Sequence, residues 1–181
     1  MAESMNTPFL VGKTVYLRAL TEEDISGNWK NWFNDSEVCR FNTHFRFPNS
    51  EKKMHDYLES LSKAFNELVL AIIMREGDEH VGNISLQRID WINRSAELAM
   101  VLGEKKYWGK GIGFESAQLV VRHGLEELNL NRISCGTSVE NLAMQKIAIK
   151  LGMKEEGRRR KVLYRAGKYH DYFDYALVRE E

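Results

Sequence analysis

Trp-Gly-Lys-Gly-Ile-Gly-Phe, residues 108–114, is the stretch that decides how the rest of this chain is interpreted. It follows a strand-like apolar run, Glu97 to Leu102, and precedes an amphipathic helix. Three glycines in five positions let the main chain adopt φ angles closed to other residues and approach a ligand closely. The first N–H groups of the following helix lack partners within the helix, and the helix dipole favours an anion there. The stretch therefore predicts a diphosphate-binding loop.

Two better-known phosphate loops do not match this stretch. A Walker loop needs four residues between its glycines, whereas five separate Gly103 from Gly109, and Gly111 stands where Ser or Thr would hold magnesium. The dinucleotide fingerprint fails because Phe114 takes the place of the third glycine. A tight turn without a ligand is the competing interpretation of any glycine cluster.

The loop resembles the CoA-pyrophosphate loop of the GNAT N-acetyltransferase superfamily, usually Gln/Arg-x-x-Gly-x-Gly/Ala, with Trp108 in place of Gln or Arg. Its Tyr-Trp-Gly-Lys-Gly form is similar to the branch of ribosomal-protein N-terminal acetyltransferases and spermidine acetyltransferases. Weaker matches extend along most of the chain, at Val15 to Leu20, Val81 to Ile84, Ala96 to Leu98, Asn131 to Ile133, Asn141 and Lys150 to Met153. The resemblance implies that acetyl-CoA is a cosubstrate bound by Trp108, Gly109, Lys110, Gly111, Ile112, Gly113 and Phe114.

The chain has 181 residues, 43% of them apolar, which suits a single N-acetyltransferase domain over residues 1–181. We expect an α/β (α+β) fold with a mixed, mostly antiparallel sheet of about seven strands flanked by about four helices. The expected strands are Val15 to Leu20, Leu68 to Arg75, His80 to Ile89, Ala96 to Leu102, Arg132 to Thr137, Met153 to Tyr164 and Asp171 to Arg179. Helical stripes run from Ile25 to Phe33, Met54 to Phe65, Phe114 to Leu128 and Met144 to Leu151, behind caps at Thr21, Ser50 and Asn141.

The composition disfavours several other classes of protein. Twenty-six basic residues balance 26 acidic ones, so the chain has no general attraction to nucleic acid or to anionic lipid. No apolar run approaches about 18 residues, so no membrane span is expected. The two distant cysteines form no metal or redox motif, and no secretory signal is evident, which predicts a cytoplasmic protein.

The resemblance also implies how the rest of the cofactor is held. In this superfamily the strand before the loop splays from its neighbour, and the gap admits the pantetheine arm, whose amides extend the sheet. Met100, Val101 and Leu102 occupy that stretch, and the amide near Met100 would polarise the thioester carbonyl. Asn141 matches a CoA-contacting Asn, although a helix cap accounts for it equally well.

Glu97 is the candidate general base. An alkylamine with a pKa near 10.4 is free base in only about one molecule in two thousand at pH 7, so a group must accept its proton. Relatives of this branch often carry Glu at this point of the strand, facing the acceptor. A sheet-paired carboxylate is the competing interpretation, and an α-amine, with a pKa close to 8, would need less help.

The general acid is not assigned by the sequence. Many superfamily members use a Tyr where this chain has Ala148, which leaves Tyr164, Tyr169, Tyr172 and Tyr175 as substitutes. Alternatively, the CoA thiolate, with a pKa near 8.5, leaves unprotonated. The five histidines show no ligand spacing, so no metal site is expected.

Several segments are weaker candidates for the acceptor site. Asn42 to Asn49 is expected as a loop that shapes its mouth. Five aromatic residues could line it, although core and loop packing is the simpler role: Trp29, Trp32, Phe41, Phe45 and Phe47. The cationic run Arg158 to Lys161 is expected to be a solvated segment, with contact to the CoA 3′-phosphate or an acidic acceptor as the alternative.

The sequence as a whole favours an acetyl-CoA-dependent N-acetyltransferase that acts by direct attack of a primary amine. A peptide or protein N-terminus, a polyamine and an amino sugar remain open as acceptors, and a homodimer remains open as the assembly. A noncatalytic CoA-binding module is the alternative that Ala148 keeps open. A nucleic-acid binder using Arg158 to Lys161 is disfavoured by the balanced charge.

Overall fold

A computed structural model describes residues 7–180, so residues 1–6 and 181 of the expected domain lie outside the described part of the chain. Within it, eight strands form one sheet in the order β1-β2-β3-β4-β5-β6-β8-β7. The strands are β1 Leu10–Val11, β2 Val15–Ala19, β3 Leu68–Met74, β4 His80–Asp90, β5 Ser95–Leu102, β6 Arg132–Ser138, β7 Lys154–Arg165 and β8 Lys168–Val178. All neighbours pair antiparallel except β5 and β6, which run parallel.

Over residues 7–180, five α-helices cover the sheet: α1 Glu22–Ser26, α2 Trp29–Trp32, α3 Glu51–Lys63, α4 Ile112–Glu126 and α5 Leu142–Lys150. Because side chains alternate along a strand, the sheet has two apolar faces. Residues such as Leu17 and Ile72 pack with α4 and α5. Their neighbours Tyr16 and Ile73 pack with α1, α2 and α3 instead. In the described residues no helix is both long and apolar enough to cross a membrane.

Strands β5 and β6 separate partway along their length. Three residue pairs join them, from Ser95 with Arg132 to Glu97 with Ser134. Beyond that point β5 continues to Leu102 and β6 to Ser138 without pairing to each other, although β5 stays paired to β4. The splay that the family resemblance implied is therefore present, and one edge of residues 98–102 faces a gap rather than a strand.

The expected fold class is confirmed, with differences at individual elements. The stripe from Ile25 to Phe33 is not one helix, because the chain turns extended at Gly27 and divides it into α1 and α2. The prediction that Phe65 belongs to the stripe of α3 was wrong: α3 ends at Lys63 and Phe65 is 80% exposed. The two-residue strand β1 was not predicted, since so short an edge strand leaves no period in the sequence.

Candidate active site

The glycine loop joins a short 3-10 helix, Lys105–Tyr107, to the start of α4. Gly111 caps α4 with φ 85°, a left-handed value that side-chain-bearing residues rarely adopt. The first helical hydrogen bond runs from the Glu115 N–H to the Gly111 carbonyl. The N–H groups of residues 112–114 are therefore not used by the helix, and they point outward at its positive end. This is the geometry expected of an anion-binding loop.

Gly113 allows the loop to lie tightly between two other elements. A Cβ atom built on Gly113 would lie 3.2 Å from both Ile147 Cδ1 on α5 and Met100 Cε on β5. Both contacts are tighter than nine in ten real Cβ contacts, so a side chain at this position would require Ile147 and Met100 to shift by a few tenths of an ångström. The glycine thus brings the N-terminus of α4 close to the gap.

Trp108, which replaces the usual Gln or Arg of the family loop, fixes the loop to the sheet. Its indole Nε1 donates a hydrogen bond of 2.8 Å to the carbonyl oxygen of Leu102, the last residue of β5. A tryptophan side chain therefore positions the loop at the end of the splayed strand.

A cleft of about 720 Å³ opens where β5 and β6 part. All of the predicted site residues except Lys110 line it: Glu97, Met100, Val101, Leu102, Trp108, Gly109, Gly111, Ile112, Gly113, Phe114 and Asn141. The Lys110 ammonium lies 5.6 Å from the centre of the Tyr107 ring, and Lys110 is absent from the lining. Predicted residues from three separate parts of the sequence thus meet around one cleft, while Lys110 stays outside it.

Helix α5 forms another part of the wall. The Asn141 side-chain oxygen accepts from the Met144 N–H at 3.2 Å, so Asn141 is the expected helix cap as well as a lining residue. Two lysines of α5 also line the cleft, Lys146 and Lys150, and the Lys150 ammonium lies 5.6 Å from the Phe114 ring centre. These lysines were missed in the sequence, where single cations on a helix resemble any solvated face.

A further part of the wall comes from residues 37, 38 and 40–42, in the segment between α2 and α3. Arg165, at the end of β7, holds this segment by donating to three main-chain carbonyls. They belong to Ser36, Cys39 and Asn42, at 3.1 Å for Ser36 and 2.9 Å for Asn42. The expected mouth-forming loop, Asn42 to Asn49, overlaps this wall at Asn42 only.

Glu97 lies on the opposite face of β5 from the glycine loop. Its neighbours Ala96 and Leu98 pack in the core beside α4, so strand alternation directs the Glu97 side chain to the other side of the sheet. There it is 34% exposed and forms an ion pair of 2.9 Å with Arg88. The carboxylate is therefore accessible to a molecule that approaches from that side.

A second cavity, of about 430 Å³, lies on the Glu97 side of the sheet. It is lined by Arg88, Glu97, Ser134, Cys135, Gly136, Arg159, Val162, Leu163, Tyr172 and Asp174. Three of these residues, Glu97, Gly136 and Tyr172, line the larger cleft as well. The two cavities therefore adjoin at the point where β5 and β6 part.

The four tyrosines considered as proton donors occupy different places. Tyr164 and Tyr169 are exposed, with their ring centres 4.9 Å apart and the rings tilted at 57°, and Tyr175 is buried in the core. Tyr172 lines both cavities, and burial together with the Glu97 carboxylate raises the pKa of its phenol. Ala148, at the position of the family's usual Tyr, is fully buried. Of the four tyrosines, Tyr172 is the one that lines both cavities.

Other candidates lie outside the larger cleft. Trp29 and Trp32 are buried in the second apolar core, while Phe45 and Phe47 are exposed, and only Phe41 of the five aromatic residues lines the cleft. The cationic run lies on β7, where Arg158 and Arg159 pair with Asp171 and Asp174. Among residues 7–180, no group of His, Cys, Asp and Glu side chains is arranged to hold a metal ion.

This fold, with its splayed strands and helix-capping glycine loop, defines the class of GNAT acetyltransferases. The sequence profile described as "Acetyltransferase (GNAT) domain" matches residues 14–154. The chain therefore belongs to the GNAT family and is an N-acetyltransferase.

Particular relatives agree with this assignment. An uncharacterized N-acetyltransferase of Bacillus licheniformis is 30% identical over 167 residues, covering 91% of this chain and 93% of that protein. A putative ribosomal N-acetyltransferase of Bacillus subtilis is 35% identical over 100 residues, which are 55% of this chain and 54% of that protein.

Solved structures share the fold at lower identity. A ribosomal L7/L12 α-N-protein acetyltransferase in complex with coenzyme A superimposes with a TM-score of 0.83 at 22% identity, covering 93% of this chain and 96% of that one. A spermidine N-acetyltransferase of Vibrio cholerae, in complex with CoA and spermine, gives a TM-score of 0.82 at 22% identity, covering 91% and 95%.

Proposed function

We propose that this protein transfers the acetyl group of acetyl-CoA to a primary amine by direct attack, with Glu97 as the general base. One observation carries the proposal. The glycine loop and Glu97 lie on opposite faces of one strand, and the gap beside that strand joins the two faces. A thioester held from the loop side therefore meets an amine held on the Glu97 side.

In the proposed arrangement the N–H groups of Ile112, Gly113 and Phe114 bind the diphosphate of acetyl-CoA. Lys146 and Lys150 supply positive charge beside the same cleft. The pantetheine arm lies along the unpaired edge of Met100, Val101 and Leu102, where its amides replace the missing strand partner.

The chemical step follows from the positions of Glu97 and Tyr172. Glu97 accepts a proton from the ammonium group, and the amine lone pair then attacks the thioester carbonyl carbon. The N–H group near Met100 stabilises the oxyanion that forms on that carbonyl. When the C–S bond breaks, Tyr172 donates its phenolic proton to the thiolate sulfur, and the second proton that the nitrogen loses as the amide forms restores the phenol. Burial and the Glu97 carboxylate raise the pKa of this phenol, which keeps it protonated at neutral pH and also makes it a weaker acid than a free tyrosine.

The test is a thiol-release assay with acetyl-CoA and a panel of peptides, polyamines and amino sugars. The proposal expects thiol release that depends on the amine, with one acetyl group added to the amine by mass spectrometry. Binding of coenzyme A without thiol release for any amine would refute it. Tyr172→Phe should lower kcat and leave the affinity for coenzyme A unchanged, whereas an unchanged kcat would mean that the thiolate leaves unprotonated.

A further inference from the structure

We infer that the acceptor carries an anionic group close to its amine, and that Arg88 recognises that group. The inference rests on the proposed function, because it assigns the second cavity to the acceptor. It goes further by naming a specificity-determining residue and the chemical class of the substrate. The acceptor that fits is a peptide N-terminus with an acidic side chain in its first two residues.

The charges of the second cavity are the starting point. Four charged side chains line it, two acidic and two basic: Glu97, Asp174, Arg88 and Arg159. Asp174 is fully engaged, because Arg159 donates to both of its carboxylate oxygens at 2.7 Å. Such a bidentate pair satisfies both ions. Glu97 and Arg88 are therefore the two charged side chains of this cavity that are available to contact a substrate.

Arg88 is held over Glu97 by an irregular stretch of β4. The pairing of β4 with β5 shifts register between Gln87 and Asp90, and Arg88 lies within this bulge at φ 50°. Bulges and left-handed non-glycine residues both cost stability, and both occur often beside active sites, where they redirect a side chain. Here the bulge places a guanidinium group at the rim of the cavity.

The contact between Arg88 and Glu97 is open to competition. One guanidinium nitrogen of Arg88 meets one carboxylate oxygen at 2.9 Å, and the Arg88 side chain is 81% exposed. An exposed ion pair of this kind contributes little free energy, so an incoming ammonium group can replace Arg88 at the Glu97 carboxylate. In the free protein the guanidinium thus occupies the place of the substrate's cation.

Displacement leaves the Arg88 charge without its partner. An anion on the substrate, close to the reacting amine, would restore a partner for Arg88 at the moment the amine engages Glu97. A polyamine would instead bring a second cation toward Arg88, where like charges repel. A polyamine site would need excess negative charge, and this cavity has as many basic as acidic side chains.

The experiment compares three peptides that differ only at the second residue, Ser-Glu, Ser-Gln and Ser-Lys, together with spermidine. Thiol release gives kcat/KM for each. Wild type should prefer Ser-Glu to Ser-Gln, and Ser-Gln to Ser-Lys, by about three- to tenfold per step. Arg88→Gln should abolish this order of kcat/KM values, because it removes both the attraction that favours Ser-Glu and the repulsion that disfavours Ser-Lys, whereas Arg88→Lys should retain most of the order.

Arg94→Gln is the matched control. Arg94 is also an exposed arginine with a left-handed φ, of 51°, but it lines neither cavity. Its substitution removes the same charge and should leave the peptide order unchanged. A loss of the order in both variants would mean that net charge alone is responsible, which would overturn the role of Arg88.

Failure of this inference is distinguishable from failure of the proposed function. Equal kcat/KM for all three peptides, or a wild-type preference for Ser-Lys or spermidine, would overturn the inference while acetyl transfer stands. If no amine releases thiol, the inference is tested by calorimetry instead, which measures the binding of the same peptides to the CoA-saturated protein. Tighter binding of Ser-Glu that is lost in Arg88→Gln supports the inference, and equal binding refutes it.

Discussion

Replacing Glu97 with Gln removes the proposed base while keeping the size of the side chain. At pH 7 an α-amine with a pKa near 8 is free base in about one molecule in ten, and an alkylamine with a pKa near 10.4 in about one in two thousand. A positioned general base contributes about 10²- to 10⁴-fold. We therefore expect kcat to fall about 100-fold for a peptide acceptor at pH 7, and further for an alkylamine.

The affinity for coenzyme A should change little, because Glu97 lines the cofactor cleft only at its junction with the second cavity, on the opposite face of β5 from the glycine loop that binds the diphosphate. The assay measures thiol release from pH 6 to 9 and, separately, coenzyme A binding by calorimetry. The deficit should shrink as the pH rises toward the pKa of the amine, because the unassisted free base grows about tenfold per unit. Glu126→Gln, an exposed substitution on α4, is the matched control.

Two results would refute this reasoning. Equal losses in kcat and in coenzyme A affinity would identify Glu97 as a structural carboxylate. A kcat deficit that stays constant from pH 6 to 9 would show that Glu97 does not act by deprotonating the amine. The general base would then have to be another residue.

Three further outcomes follow from the packing. Gly113→Val should weaken coenzyme A binding at least tenfold by calorimetry, because its side chain enters the space 3.2 Å from Met100; unchanged binding would contradict the loop geometry. Burial alone would raise the pKa of Asp24, but Arg18 and His80 outweigh it and hold that pKa below its usual range. The ionised Asp24 carboxylate therefore stabilises the folded state above about pH 4, and this stabilisation is lost as the pH falls further. Asp24→Asn should lower the free energy of unfolding, measured with urea at pH 7, by about 3–5 kcal/mol and should make that free energy less dependent on pH in the acid range. Burial raises the pKa of Cys135 to about 12, so iodoacetamide at pH 8 should label it only in unfolded protein; rapid labelling of the folded chain would contradict its burial.

Local signals accounted for the parts of the site that lie close together in the sequence. The glycines of residues 109–113 and the helix that follows are one continuous motif, and helix caps such as Asn141 act within three residues. These inferences hold because each depends on short-range geometry.

Other parts depended on long-range pairing that a single sequence does not encode visibly. The bulge that presents Arg88 exists only because β4 and β5 pair with a register shift. The sequence does not distinguish Tyr172 from the other three candidate tyrosines. In the structure, the pairing of β8 with β6 sets Tyr172 opposite Ser138, beside the gap. Arg165 similarly contacts residues more than a hundred positions away. No local period marks any of these three residues as part of the site.

The most direct measurement is a coenzyme A titration followed by the backbone amide resonances of the ¹⁵N-labelled protein. Binding as described should shift the amides of residues 98–102 and 109–114 most strongly, while those of Val15–Ala19, at the far side of the sheet, stay in place. Saturating coenzyme A that leaves both segments unmoved, or that moves a different surface, would contradict the assignment of the gap and the loop as the cofactor site.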